Sequence, residues 1–245
     1  MNNNYLIGPL YSKSVTLTLA FMCIFFLKGQ NQPKEQIRFH LGTDLGIQVA
    51  NASWWLTNRY VVRNTLKINP KEWKVPVLDD LSKSTLTKTH AWASDYTLQG
   101  ALLLSLIQID QYKNFESTRN FGNLWIQNLL FTANLTQSVK ITFQRKRPYT
   151  RDPNFVTDGH NDHYYSFFSG HSSMTAAAAA TSMWMAYRYP SSKTSKITAW
   201  ASTGLALTTG VLRITAGKHY PSDVLTGWAI GTGVSLLNGW IHEKL

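Results

Sequence analysis

The sequence has little acidic charge, a single cysteine and no long apolar run. Thirteen Asp and Glu stand against 24 Lys and Arg, so the formal net charge is +11. A balance of this sign favours anionic partners, which include phosphate groups, anionic lipids and nucleic acid, and does not choose among them. Because Cys23 is the only cysteine, an intrachain disulfide is excluded.

The N-terminus carries a short apolar segment at residues 14–27, which has no charge and follows Lys13. This pattern is typical of a secretory signal peptide, and the run is too short for a comfortable membrane span. We therefore expect residues 1–29 to be a signal peptide and residues 30–245 to form a single domain. The alternative is a buried or interfacial N-terminal helix.

Strand signals are poor in the remaining chain, because sustained alternation with hairpin turns is missing. Long uncharged runs and an alanine-rich composition favour helices instead. The sequence predicts an all-α protein, a bundle of six helices. They are expected at about residues 44–63, 95–109, 121–140, after His171, at 197–213 and after Pro221. The uncharged runs suit a membrane bundle and a soluble one alike, and Gly227 and Gly231 allow close helix packing in either.

The first motif pairs Lys140 with Arg147-Pro148. Seven residues are about two helical turns, so the two cations share one helix face, and Pro148 ends the helix. An arginine fork and a lysine point charge at one helix end can bind an anion.

The second motif is Ser169-Gly170-His171, at the predicted start of a helix. Gly170 permits a tight turn or a close approach of backbone to ligand, and Ser172 or Ser173 can cap the helix. Backbone N–H groups at a helix start favour an anion.

The third motif spans Arg213, His219 and Asp223. Gly217 can end the fifth helix, and Pro221 suits the first turn of the sixth. His219 then precedes a helix start, where Asp223 can reach one imidazole nitrogen and leave the other free to attack.

These three clusters together resemble the motifs of the type-2 phosphatidic acid phosphatase family, also called lipid phosphate phosphatases, which shares its site with vanadium haloperoxidases. The family motifs K-x6-RP, PSGH and SR-x5-H-x3-D are matched in order and spacing. The chain departs from them at Phe168, which stands for Pro, and at Leu212, which stands for Ser. We expect these departures to alter affinity without abolishing activity, because Ser169 and backbone N–H groups remain.

The resemblance implies a phosphatase of the six-helix fold that needs neither metal nor cofactor. His219, held by Asp223, is the implied nucleophile and forms a phosphohistidine. His171, with a pKa near its unperturbed value, protonates the leaving oxygen and then activates water. The implied phosphate-binding residues are Lys140, Arg147, Ser169, Gly170 and Arg213.

The expected substrate is a phosphorylated lipid or a related small phosphoester. Phosphatidic acid, undecaprenyl pyrophosphate, the phosphates of lipid A and soluble phosphoesters all remain open. We expect membrane association and no nucleic-acid partner. With export, the protein would lie in the cell envelope, periplasmic or membrane-embedded, and its site would face the non-cytoplasmic side.

Three alternatives remain open at this point. The same residues could serve a vanadium-dependent haloperoxidase, although such proteins are generally much longer. A non-catalytic protein that binds anionic lipid or nucleic acid would use the positive charge equally, but would not need His171, His219 and Asp223 at these spacings. The loop 158–163 could hold a metal, but it lacks the ligand spacing of a known closed site, so a polar loop near the active-site mouth is the preferred interpretation.

Overall fold

The computed structural model describes residues 40–70, 73, 76–108, 115–189 and 192–244. Over these ranges the protein is all-α and contains no strand, as the sequence predicted. Six helices form the bundle: α1 Leu41–Tyr60, α2 Lys88–Ile107, α3 Phe115–Phe143, α4 Gly170–Arg188, α5 Lys193–Thr215 and α6 Pro221–Lys244. The expected signal peptide lies outside the described residues.

Several helix boundaries differ from those predicted, among them the end of α3, which falls at Phe143 and not at Pro148. Helix α1 stops at Tyr60 and continues as one π turn, Val61–Thr65. Helix α2 begins at Lys88, well before the expected start at Asp95. Its N-cap, Thr87, makes no side-chain capping bond. The start of α2 therefore has no capping bond of the kind that a sequence pattern can reveal.

Helix α4 lies at the centre of the bundle and packs against α2, α3, α5 and α6. Its alanine run, 176–180, is fully buried, and these small side chains let neighbouring helices approach. The closest approach is to α6, where a Cβ on Gly231 would lie 2.0 Å from the Ser173 carbonyl oxygen. A Cβ on Gly227 would lie 2.7 Å from the Ser169 carbonyl oxygen. The two glycines thus fix α6 directly against the first turns of α4.

Helix α3 is uncharged but polar along much of its length, because its amides bond to other helices. Asn123 and Gln127 donate to the buried carboxylate of Asp44 in α1 at 2.6 and 2.7 Å. Asn134 donates to the Asn51 carbonyl at 2.9 Å. Polar groups that pair across helices in this way fix the register between them.

Large apolar side chains are exposed on the outer faces of the bundle, among them Trp92, Tyr96, Leu103, Trp200 and Trp240. Within the described ranges, none of the helices combines the length and the apolar character that crossing a membrane requires.

Candidate active site

The three motifs meet at one end of the bundle, where α3 and α5 end and α4 and α6 begin. A cavity of about 600 Å³ opens there, and we call it the basic cavity. Its lining residues are Leu86, Lys88, Ala91, Trp92, Asp95, Lys140, Arg147, Asp162, His171, Arg213 and Lys218. Four of the predicted site residues, Lys140, Arg147, His171 and Arg213, therefore share one chamber.

The turn between α5 and α6 brings Arg213 and His219 together. Gly217 has φ +72°, and a Cβ there would lie 2.5 Å from the Thr85 carbonyl oxygen, so only glycine fits. The N–H of His219 donates to the Arg213 carbonyl at 3.2 Å, and α6 then starts at Pro221. This local geometry follows from the glycine and proline recognised in the sequence.

All three guanidinium nitrogens of Arg147 contact protein partners. Its Nη2 contacts a carboxylate oxygen of Asp162 at 2.6 Å, and its Nε donates to the Asp162 carbonyl at 2.8 Å. Its Nη1 donates to the Lys218 carbonyl at 3.0 Å and lies 3.1 Å from Nε2 of His219. The arginine thus faces both the cavity and the histidine ring.

His219 is almost fully buried, with 1% of its surface exposed. Its Nδ1 lies 2.7 Å from the Ser166 carbonyl, which can only accept, so Nδ1 carries the proton. The lone pair of Nε2 then points toward Arg147. Burial, followed by the charges of Arg147 and Arg213, lowers the pKa of His219 well below its usual value. The ring is therefore a neutral imidazole whose unprotonated Nε2 accepts from Arg147, a residue that lines the basic cavity.

Asp223 lies near His219 but makes its bonds elsewhere. Its closer oxygen is 3.6 Å from Nδ1 of His219, beyond hydrogen-bond range. The carboxylate accepts from Arg145 at 2.5 Å, from the Ser166 hydroxyl at 2.5 Å and from the Tyr220 N–H at 2.9 Å. Contrary to the prediction, Asp223 therefore does not hydrogen-bond the ring directly. The Ser166 carbonyl fixes the tautomer instead, and the Ser166 hydroxyl donates to Asp223.

Arg145 also contacts a second carboxylate, that of Asp79, at 2.7 Å. We call Asp79, Arg145 and Asp223 the buried ion triad, because each is at most 3% exposed. The guanidinium lies 4.0 Å from the centre of the Tyr220 ring, an arrangement that favours a cation.

His171 lines the basic cavity, and its Nε2 lies 2.6 Å from the Asp95 carboxylate. Burial and then the charge of Arg213 lower the pKa of His171 to about 4, although Asp95 acts in the opposite direction. The expectation of an unperturbed pKa is therefore wrong for the ligand-free site, because the surrounding cations disfavour a further positive charge.

Those cations also disfavour one another. Burial and the charge of Arg147 lower the pKa of Lys140 to about 7. Burial and Arg147 lower the pKa of Arg213 to about 9. A site that concentrates buried positive charge in this way is stabilised by a bound anion.

The Ser169-Gly170 segment starts α4, but its details differ from expectation. The Ser169 hydroxyl accepts from the Ser172 N–H at 3.3 Å and from the Ser172 hydroxyl at 2.9 Å, so Ser169 is the N-cap. Ser172 and Ser173, the expected caps, lie inside the helix. Gly170 lies beside Lys140, since a Cβ there would lie 3.5 Å from Nζ of that lysine. The first-turn N–H groups of α4 thus start beside Lys140.

The loop 158–163 lies beside the site. Its Asp162 contacts Arg147, as described, and Lys218 at 3.7 Å. Nε2 of His163 lies 2.6 Å from Asp158, and Nδ1 lies 2.8 Å from the Tyr149 hydroxyl. Within the described ranges, no group of three or more His, Cys, Asp or Glu side chains could hold a metal ion.

Sequence reasoning missed several of the contacting residues, namely Asp79, Asp95, Arg145, Asp162 and Lys218. No local pattern distinguishes Arg145 from its neighbour Lys146. The partners of Arg145 lie 66 and 78 residues away in the chain, so only the fold brings them together.

The comparison with protein families agrees with the motifs. The family described as the PAP2 superfamily matches residues 123–244. No curated protein matches the chain. A solved structure, described as the first transmembrane PAP2-type phosphatidylglycerolphosphate phosphatase from Bacillus subtilis, is 19% identical and has a TM-score of 0.46. That alignment covers 95% of this chain and 97% of the other.

Proposed function

The chain belongs to the PAP2 superfamily and is a phosphatase, and we propose that it hydrolyses a phosphoric monoester or pyrophosphate through a phosphohistidine on His219. One observation carries the proposal. The ring of His219 is neutral, its Nδ1 proton is donated to the Ser166 carbonyl, and its Nε2 lies beside Arg147 at the basic cavity. A nucleophile needs this combination of a fixed tautomer and an unprotonated nitrogen next to the electrophile's binding site, and the lone pair of Nε2 exchanges Arg147 for phosphorus during attack.

In the first half-reaction, Nε2 of His219 attacks phosphorus and the bond to the leaving oxygen breaks. The leaving oxygen takes a proton from His171. The charge that builds on the remaining phosphoryl oxygens faces Lys140, Arg147 and Arg213. Fixed cations of this kind stabilise a phosphoryl transition state without reorganising.

In the second half-reaction, water attacks the phosphohistidine while His171 removes its proton. Phosphate leaves, and His219 returns to the neutral form. His171 must be protonated at the start of the first half-reaction only. The negative charge of a bound phosphate favours this protonated form. That charge offsets Arg213 and raises the pKa of His171 when substrate binds.

We propose a phosphorylated lipid or related phosphoester as the substrate, with the protein associated with a membrane. The rim of the basic cavity supports this, because Leu86 and Trp92 line it and are 42% and 63% exposed. Tyr96, one turn further along α2, is also exposed. Tryptophan and tyrosine beside a cationic chamber suit the boundary between an apolar phase and water.

Export with removal of residues 1–29, and a site on the non-cytoplasmic side, remain part of the proposal. They rest on the apolar run at 14–27. Mass spectrometry of the mature protein tests the cleavage, and a mature chain that starts at Met1 would contradict it.

The mechanism is tested by rapid quench into alkaline denaturant with a substrate labelled in its phosphoryl group, because phosphohistidine is stable to base and labile to acid. We expect wild-type protein to retain label that acid then releases, and His219→Ala to retain none. His171→Ala should still be labelled by a substrate with a good leaving group, because that step no longer needs the acid. His160→Ala, in the exposed loop, is the control and should behave as wild type. Label on the His219→Ala protein would refute the assignment.

The response to vanadate distinguishes a phosphatase from a haloperoxidase with the same residues. We expect turnover to survive EDTA and to be inhibited by vanadate, which mimics the phosphoryl transition state. Halide oxidation by the vanadate-loaded protein would favour the haloperoxidase, and activity lost in EDTA and restored by Mg²⁺ or Zn²⁺ would favour a metal mechanism. A non-catalytic binding protein would show no turnover at all.

A further inference from the structure

The buried ion triad joins the end of α3 to the start of α6 and to a 3₁₀ turn at Val77–Leu81. Arg145 directs Nη1 to Asp223 and Nη2 to Asp79. Asp79 also accepts from the backbone N–H and the hydroxyl of Ser222, at 2.8 and 2.7 Å. Asp79 and Asp223 are both 0% exposed, so their charges are poorly screened.

The charge count in this cluster matters for the neighbouring ring. Burial raises the pKa of the Asp223 carboxyl, while Arg145, the Ser166 hydroxyl and the Tyr220 N–H favour its ionised form. With both carboxylates ionised, they share one guanidinium and the triad carries one net negative charge. Without Asp79, Arg145 would neutralise Asp223 and the cluster would have no net charge. The oxygen of Asp223 that faces His219 is 3.6 Å from Nδ1, close enough to act on a charge in the ring.

Attack by Nε2 of His219 creates such a charge. When the nitrogen–phosphorus bond forms and Nδ1 keeps its proton, the imidazole ring becomes positive, while the bonding electrons of the leaving oxygen accept the proton of His171. The ring is then surrounded by Lys140, Arg147 and Arg213, which all oppose its positive charge. Among the described residues, Asp223 is the acidic group that lies nearest to Nδ1.

We propose that Asp79 is a positioning residue for the nucleophile. By sharing Arg145 with Asp223, it leaves a net negative charge beside His219 and stabilises the positive ring of the phosphorylated intermediate. Asp79 lies outside residues 123–244, which the family match covers. The inference rests on the proposed phosphohistidine mechanism and adds a contribution from the N-terminal half of the chain.

The test separates charge from shape at position 79. Asp79→Asn keeps the shape and loses the charge, whereas Asp79→Glu keeps the charge and strains the fit. Asp80→Asn removes the exposed carboxylate next in the chain and serves as the matched control. Each purified, helical and monodisperse protein is assayed for the rate of His219 phosphorylation and for inhibition by inorganic phosphate.

We expect Asp79→Asn to slow phosphorylation on the order of tenfold, from the loss of one buried charge near the ring. The inhibition constant for phosphate should stay within about twofold, since the three cations that bind it are intact. Asp79→Glu should phosphorylate faster than Asp79→Asn, and Asp80→Asn should match wild type.

Three results would overturn the inference. They are equal rates for Asp79→Asn and Asp80→Asn, a Glu variant slower than the Asn variant, and a phosphate inhibition constant that rises in step with the loss of rate. If the Asn variant does not fold, the Glu variant decides alone, and a rate more than about threefold below wild type counts against the proposal. Wild-type protein that turns over with no label on His219 would instead refute the phosphohistidine mechanism itself.

Discussion

Asp162 forms an ion pair with Arg147, which is one of the cations proposed to bind the phosphate group. Removing the charge of Asp162 should therefore strengthen anion binding. Its carboxylate lies 2.6 Å from Nη2 of Arg147 and 3.7 Å from Nζ of Lys218. Burial opposes ionisation, but Arg147 and Lys218 outweigh it and lower the pKa of Asp162 to about 2. Asp162 is thus charged at every working pH, and an incoming phosphate must displace it or bind beside it.

The size of the effect follows from Coulomb's law with screening. The Asp162 side chain is 55% exposed, so most of its repulsion toward a bound anion is screened by water. We expect Asp162→Asn to improve binding of inorganic phosphate by about 1 kcal/mol, or roughly fivefold. Asp158→Asn is the control, because Asp158 lies in the same loop and contacts His163 instead of the cations.

The assay is competitive inhibition by phosphate at two pH values. Asp162 raises the pKa of Lys140, so in Asp162→Asn the pKa of Lys140 falls below about 7 and its charge is lost earlier as the pH rises. The gain in affinity should therefore be clear at pH 6 and smaller at pH 8. Weaker phosphate binding at pH 6 would refute the reasoning and would mean that Asp162 serves to hold Arg147 in place.

Two further predictions concern Lys140 and the contact between α4 and α6. Because the pKa of Lys140 is about 7, kcat/KM should fall as the pH rises through that value and the ammonium loses its proton. Lys140→Arg should move this fall to higher pH, and an unchanged pH profile would contradict the assignment. Gly231→Ala places a Cβ 2.0 Å from the Ser173 carbonyl oxygen and should cost at least about 3 kcal/mol in the free energy of unfolding, seen as a lower Tm. Gly233→Ala meets nothing within 4 Å and should instead be neutral or stabilise by up to about 1 kcal/mol. Equal effects of the two changes would contradict the packing described here.

Much of the cationic chamber could be predicted from local spacing. Glycine and proline fix the turn that brings His219 to Arg213. The shared helix face expected for Lys140 and Arg147 is wrong, because α3 ends at Phe143 and Arg147 lies in extended backbone beyond it. Chemistry that depends on sequence-local geometry is readable in this way.

The partners of those residues could not be predicted, because tertiary packing supplies them. Asp95 reaches His171 across 76 positions, and Asp79 reaches Arg145 across 66. The identity of the α4 cap differs for another reason, since the helix starts at Gly170 and not after His171, so Ser169 takes the place expected for Ser172 or Ser173. Boundaries of this kind depend on small energy differences that the sequence pattern does not resolve.

The contact of Gly227 and Gly231 with the first turns of α4 has a consequence for how the protein can diversify. The seam between α4 and α6 joins the anion-binding helix start to the segment that carries His219, and it admits no side chain larger than hydrogen. Substitutions that change substrate preference are therefore not tolerated in this seam. The rim from α2 and the loop that carries Asp162 lie outside it, so they can accept substitutions while the distance between nucleophile and anion cradle stays constant. New specificities would accumulate in those two elements, and the seam would remain the invariant part of the fold.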